Sequence, residues 1–251
     1  MPNDSNNSSM TYWWPLVQDC GVPMPRTEMV PVGGDISSIL DGGDFPERLV
    51  ADVTAACERM GYPAFLRSDR LSGKHEYIET CYVPGPEKIA QHICAITEEH
   101  AMSFDLPMPE AFAVREFLEL DAPFKAFNGL PIARERRYFI RDGAVVCHHP
   151  YWPADAMRYP SRPDWRTLLA ALSVEEHTGI LTDYSMAIGR RLTEFWSVDF
   201  AQTKSGAWYF IDAARGENSW HPEHGAVTPA DAPETGEITS RGALQAAWEG
   251  R

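Results

Sequence analysis

Glu194-Phe-Trp-Ser-Val-Asp199-Phe-Ala-Gln-Thr-Lys204-Ser-Gly206-Ala-Trp-Tyr-Phe-Ile-Asp212-Ala-Ala-Arg215-Gly-Glu217-Asn-Ser-Trp-His-Pro-Glu-His224 is the stretch whose reading decides the fold. Two apolar, aromatic-rich runs flank Thr-Lys-Ser-Gly, the pattern of a β-hairpin. A two-residue loop at Ser205-Gly206 pairs Lys204 with Ala207 and sets Asp199 directly opposite Asp212. A four-residue loop centred there gives the same pair, whereas a three-residue loop makes it diagonal. Like charges facing each other across a sheet are destabilising, and an unpaired carboxylate inside an apolar run is costly. A divalent cation held between the two aspartates resolves both conflicts, because magnesium favours one or two carboxylates plus phosphate oxygens. The bland alternative is a pair of strand-end aspartates facing water or bonded to Arg215 or Lys204. The cation reading is preferred here. It implies that the metal-free protein carries a repulsion at this pair.

The 251 residues suffice for a full core in one composite domain or two lobes. Hydrophobic residues make up 44% and charged residues 23%, as in ordinary globular proteins, and no apolar run approaches a membrane span. The polar start, Met1 to Ser9, has no basic region and no apolar stretch, so it does not read as a signal peptide. Five cysteines, at 20, 57, 81, 94 and 147, are odd in number and lack CxxC spacing, which points to the reducing cytoplasm. A net charge of −14 argues against nucleic acid as a partner, although a local basic pocket stays compatible with it.

Upstream of the hairpin, Pro46 suits the first turn of a helix that buries Leu49, Val50, Val53, Cys57 and Met60 and stops at Gly61. Ala64–Asp69 reads as a strand. Arg70-Leu-Ser-Gly73-Lys74-His75 superficially resembles a P-loop, but Ser68 stands where the first glycine is needed and His75 replaces the Ser or Thr. A second helix starts near Pro86 and buries Ile89, Ile93 and Ile96, and residues 113–120 form a strand-like run with embedded charges. Arg134–His148 is a second hairpin around Asp142-Gly143, a preferred two-residue turn. Pairing Arg141 with Ala144 places Arg137 opposite His148, with Glu135 and Arg137 sharing one face. Four arginines among the eight residues 134–141 favour an anion site slightly over a solvated face. Ser173-Val-Glu-Glu176 reads as a capping box for a helix with Ile180, Leu181, Tyr184 and Ile188 on its apolar face. Cys81, in an apolar run, reads as core rather than nucleophile. Zinc at His148-His149 or His221 and His224 is set aside, because Pro222 disfavours a helix joining the latter pair and no cysteine pair completes a set.

Strand, loop lysine, helix, charged strand, arginine hairpin and aspartate hairpin occur in an order that resembles the ATP-grasp fold. The resemblance is closest to the clade, known mainly from phage and bacterial genomes, named for its characteristic arginines and lysine. It rests on Phe65-Leu-Arg67-Ser-Asp, Ser72-Gly-Lys74-His-Glu-Tyr77, Val114-Arg115-Glu-Phe-Leu118, Arg134-Glu-Arg-Arg137-Tyr-Phe139, Val198-Asp199-Phe-Ala and Gly206-Ala-Trp-Tyr-Phe-Ile-Asp212. The fold so implied is α+β, two α/β lobes with mostly antiparallel sheets that hold the nucleotide between them. It divides the chain into an N-terminal extension 1–28, partly disordered; an N-terminal lobe 29–113; a C-terminal lobe 114–225; and an acidic, proline-containing tail 226–251 with a short helix near Leu244–Trp248.

By the same resemblance Arg67, Lys74 and Arg137 contact ATP phosphates, Arg115 is one of the arginines that give the clade its name, and Lys74, Arg115 and Arg137 count as catalytic. Glu116, Phe117 and Leu118 form the lobe-connecting strand that reads adenine, and Glu119 or Asp121 holds the ribose. Asp199 and Asp212 hold Mg2+. Ala214 stands where many such enzymes have an Asn as third metal ligand, so Glu217 or Asn218 is the expected substitute. The implied activity is a cytoplasmic ATP-dependent ligase forming an amide-like C–N bond through an acyl phosphate and releasing ADP and phosphate. Its acceptor carboxylate and amine nucleophile are a small molecule or peptide. The alternative is an ATP-binding assembly factor with little turnover, a layout shared by a cell-division-cycle family that helps assemble a translation initiation factor.

Overall fold

The computed structural model describes residues 8–103, 106–174, 179–222 and 227. The predicted capping box past Val174, His224 and the tail therefore lie outside the described residues, Val227 excepted. No helix among the described residues is long and apolar enough to cross a membrane.

The described chain opens with helix α1 (Met10–Val17), capped by Ser9, whose hydroxyl accepts the Thr11 N–H. Strand β1 (Thr27–Pro31) follows, then α2 (Glu47–Met60), entered through Pro46 and ended at Gly61 as expected. β2 (Ala64–Ser68), the short α3 (Tyr77–Thr80), β3 (Tyr82–Val83), α4 (Ile89–Met102) and β4 (Ala111–Glu116) complete the first half. The four strands form an antiparallel sheet in the order β1-β4-β2-β3. One face packs Leu66, Phe112 and Val114 against Leu49, Val53 and Cys57 of α2 and Ile89, Ile93 and Ile96 of α4, as the helical spacing predicted. β4 runs unbroken through 113/114, the lobe boundary drawn from sequence, and pairs along its length in this sheet.

The second half holds a small hairpin, β5 (Phe124–Ala126) and β6 (Leu130–Ile132), then β7 (Glu135–Arg141) and β8 (Ala144–Pro150). Helices α5 (Trp165–Ser173) and α6 (Gly179–Gly189) precede β9 (Phe195–Gln202) and β10 (Trp208–Arg215). The second large sheet is antiparallel in the order β10-β9-β7-β8. Its back face sets Tyr138, Val198, Phe200 and Phe210 against Trp13 of α1 and Leu181 and Ile188 of α6. Ile180, expected on that apolar face, is half exposed, and Ser173 ends α5 with its hydroxyl donating back to the Leu169 carbonyl. Cys81 is fully buried, as a core residue should be.

The strand-like run 113–120 is strand only to Glu116. Beyond it the chain leaves the first sheet and crosses to the second, touching it at the Leu120–Thr203 bridge. Residues 117–119 thus carry no ladder.

Candidate functional site

Asp199 and Asp212 do lie opposite each other, by a route the sequence reading did not foresee. The loop has three residues, 204–206, with the Thr203 N–H donating to the Ala207 carbonyl and Gly206 at φ +83°. That loop alone would make the pair diagonal. A bulge at Ile211 shifts the register between Phe210 and Asp212 and restores the direct pairing. It also turns the Ile211 carbonyl toward the first sheet, where it accepts from Arg115 Nη1 at 2.6 Å.

A second bulge, between Phe139 and Ile140, corrects the other hairpin: Arg137 stands opposite His149, not His148. Its other neighbour is Asp199, through the β7–β9 pairing. Strand alternation then places Glu135, Arg137, Asp199 and Asp212 on one face of the second sheet. On the first sheet, Arg67 and Arg115 share the face away from α2 and α4. Lys74 enters on the loop after β2, where Gly73 adopts φ +61° and the Thr80 hydroxyl donates to its carbonyl.

The aspartates are neutralised by arginines. Arg137 donates to both Asp199 oxygens at 2.8 Å, a bidentate fork. Arg67 Nη1 lies 2.8 Å from Asp212 Oδ1, which also accepts the Ala213 N–H, and among the described residues both bonds go to Oδ1 rather than Oδ2. The repulsion expected of the metal-free pair is therefore absent, and the water-facing or Arg215- or Lys204-bonded alternative is replaced as well. Nor is Arg137 on a solvated face, with its side chain only 12% exposed.

Burial alone would raise Asp212, but Arg67, Lys74 and Arg115 around it hold its carboxyl below the usual range. Burial, reinforced by the nearby Arg67 charge, lowers Arg115 to about 9. Arg115 Nε and Nη1 are bonded, to Thr27 and Ile211, while Nη2 is buried with no partner. Glu135 is pushed up to about 7, chiefly by burial, and its Oε2 is likewise unpartnered. Burial opposes the Lys74 charge, but the acidic groups facing it, Tyr151, Glu135, Asp212 and Asp199, raise its pKa.

Between the two sheets lies a cleft of about 700 Å³, its open mouth included. Phe65, Phe117, Leu118, Leu120 and Leu130 line it with Arg67, Lys74, Arg115, Glu135 and Asp212. One part is thus apolar and the other strongly charged. A second hollow against the crossing segment is bordered by Glu116 to Glu119, Thr203 to Ser205 and Tyr209. Glu116 is held by Arg26 at 2.8 Å, and Glu119 by Lys204 at 3.3 Å in an exposed pair. Asp121 is exposed at the edge of this segment, its N–H bonded to the Gln202 carbonyl.

Glu217 is not brought to the cluster: its exposed carboxylate pairs with Arg215 at 3.4 Å. Among the described residues, no group of three His, Cys, Asp or Glu side chains is arranged to hold a metal ion. The two aspartates do fit a magnesium ion that completes its shell with phosphate and water, given that neither bond to Asp212 goes to Oδ2. Residues the sequence reading left without a role are Glu135, Tyr151 and Trp152. The signal for Glu135 was its two-residue spacing from Arg137; Tyr151 and Trp152 carried none beyond following the β8 strand.

This cleft, an arginine- and lysine-lined gap between two antiparallel sheets with a crossing segment along its apolar side, has the layout of a nucleotide-binding ATP-grasp protein. A family model described as an ATP-grasp domain, family 3 of the clade named for its arginines and lysine, matches residues 55–233, and the chain belongs to that family. No curated protein matches the chain by sequence. Among solved structures, Cdc123 from Schizosaccharomyces pombe is similar in fold, with a TM-score of 0.56, 10% identity and coverage of 84% of each chain. A RimK domain ATP-grasp protein from Sphaerobacter thermophilus DSM 20745 matches at 0.45, with 14% identity over 84% of this chain and 60% of its own. The D-alanine–D-alanine ligase of Bacillus anthracis, solved with ATP, also matches at 0.45, with 10% identity over 82% of this chain and 54% of its own.

Proposed function

We propose that the chain is an Mg-ATP-dependent ligase that activates a carboxylate as an acyl phosphate and joins it to an amine, releasing ADP and phosphate. The observation that carries this reading is the charge of the cleft. Arg67, Lys74, Arg115 and Arg137 gather around Asp199, Asp212 and Glu135, a concentration of buried cations in a chain of net charge −14. Arg115 Nη2, a buried donor without an acceptor, is the sharpest sign of an absent anion.

On this reading the apolar part of the cleft takes the base against Phe117 and Leu118, with the Glu116 backbone at its edge and Glu119 or Asp121 at the ribose. The phosphates lie on Arg67, Lys74, Arg115 and Arg137. Asp199 and Asp212 would hold Mg2+, which would supply neutralisation of phosphate charge. The two ion pairs act as a charge store: Arg67 and Arg137 can turn from the aspartates to entering phosphates, which would leave Asp199 and Asp212 as the residues to hold a cation. Phosphoryl transfer of this kind needs positioning and charge neutralisation rather than a protein nucleophile. Cys81 and Cys147 fit that expectation, their thiols pushed up to about 12 by burial.

The test is ADP release measured against a panel of amino acids, peptides and polyamines. A ligase turns over only when a carboxylate acceptor and an amine are both present. Tight Mg-ATP binding with no turnover against any panel member would instead favour the assembly-factor reading.

A further inference from the structure

Lys74 occupies a site whose chemistry is that of an ammonium receptor. Its Nζ lies 3.9 Å from Glu135 Oε2, 4.8 Å from the centre of the Tyr151 ring and 5.8 Å from that of Trp152. A carboxylate and two aromatic faces around a primary ammonium combine Coulomb and cation–π attraction where water is scarce. Yet the occupant is loosely held. Among the described residues its one ion pair is the 3.9 Å contact with Glu135, beyond hydrogen-bond range, and its side chain stays 14% exposed.

The receptor is better built than its guest. Glu135 is 4% exposed and Tyr151 donates its backbone N–H to the Glu135 carbonyl, tying the two walls together. The Trp152 indole N–H is likewise buried without a partner. Arg137 also lies over Tyr151, its Cζ 4.7 Å from the ring centre. A buried carboxylate left without a full partner is expensive, so a group that supplies three N–H donors would fill a real deficit. Lys74 and Glu135 both line the nucleotide cleft, so the receptor opens on the reaction space.

We propose that Glu135, Tyr151 and Trp152 form the seat for a primary alkylammonium group of the amine substrate, and that Lys74 fills this seat until nucleotide phosphates draw it away. The proposal rests on the ligase reading for the substrate's role, and on Lys74 as a phosphate contact for the exchange. It assigns the nucleophile to the class of primary amines, such as a free amino acid, a lysine side chain or a polyamine. It also makes amine binding ordered after nucleotide.

The experiment is calorimetric titration with n-butylammonium, the shape of a lysine side chain, with n-butanol as the uncharged control. In the wild-type protein the probe should bind at least tenfold more tightly with Mg-AMPPNP present than without it. Glu135→Gln and Trp152→Leu should each weaken the probe tenfold or more, Trp152→Leu while leaving AMPPNP affinity within about threefold, and butanol should not bind. Lys74→Ala, which empties the seat, should bind the probe without nucleotide. A Lys74→Ala protein that ignores butylammonium, or a Glu135→Gln protein that binds it as wild type does, overturns the seat. If AMPPNP itself fails to bind, the nucleotide reading falls, and the nucleotide-free Lys74→Ala titration still judges the seat alone.

Discussion

The two faces of the β9–β10 sheet come from alternating residues of the same strands, and they are assembled on opposite principles. The back face is complete: Tyr138, Val198, Phe200 and Phe210 are fully buried against α1 and α6. The front face borders the cleft and is held by charge, with Arg137 forked onto Asp199 and Arg67 bonded to Asp212. It is also unfinished. Arg115 Nη2, Glu135 Oε2, Trp152 Nε1 and His149 Nε2 all gather there as buried polar atoms without partners. Native interiors satisfy such atoms, so a cluster of exceptions marks the place where a ligand supplies the missing bonds. The back face holds the fold together, while the front face stores the means to bind.

Breaking the back face should cost most. Phe200→Ala removes a fully buried ring packed on Phe210 and Tyr138 and should lose about 3–5 kcal/mol in denaturant unfolding. A loss below about 1 kcal/mol would mean that this face is not the core. On the front face, Asp199→Asn leaves Arg137 buried with a neutral partner and should cost about 1.5–3 kcal/mol without metal. That sign is opposite to the one expected of two repelling aspartates. An unchanged or raised apo melting temperature would restore the repulsion picture.

His149 separates the faces by pH. Burial holds its ring neutral, lowered to about 3, with Nδ1 bonded to the Pro150 carbonyl. The unfolded chain protonates its histidines near 6.5, so below that pH it binds a proton that the folded chain refuses, and stability falls as pH falls. Between pH 7 and 5 the cost is about 2 kcal/mol, from about 1.4 kcal/mol for each pH unit below the unfolded value. Unfolding curves of His149→Gln against wild type should show this pH-dependent difference; parallel curves would mean that His149 is not buried neutral. Glu217→Ala should do least. Its carboxylate is exposed on Arg215, and both stability and magnesium dependence of ATP binding should stay within about 0.5 kcal/mol. A lost magnesium dependence would return Glu217 to the metal site.

Much of this was legible in the chain because it is written locally. The helices at 47–60 and 89–102 follow from apolar spacing, and the Asp142-Gly143 turn from residues that tolerate positive φ, here +49° and +86°. The opposition of Asp199 and Asp212 was reached from a two-residue loop, whereas the molecule uses three residues and a bulge. Bulges insert one residue without a strong sequence mark, and the same blindness put Arg137 beside His148 rather than His149. The ion pairs were beyond reach for a different reason. Arg137 meets Asp199 across 62 residues through a pairing between separate hairpins, and Arg67 meets Asp212 across the cleft between sheets. Hydrophobic pattern fixes which face a residue takes, but not which charged residue of another element arrives opposite it.

The most direct measurement is a calorimetric titration of Mg-ATP into the wild-type protein and into Arg115→Met, with the apo melting temperature of each. The front face as described predicts one magnesium-dependent site in the wild type. It also predicts at least a tenfold loss of affinity, about 1.4 kcal/mol, in Arg115→Met, whose apo melting temperature stays within a few degrees of wild type. No binding by the wild type at millimolar Mg-ATP would contradict it. So would an Arg115→Met protein that melts early yet keeps full affinity, since Arg115 would then serve the fold and not the nucleotide.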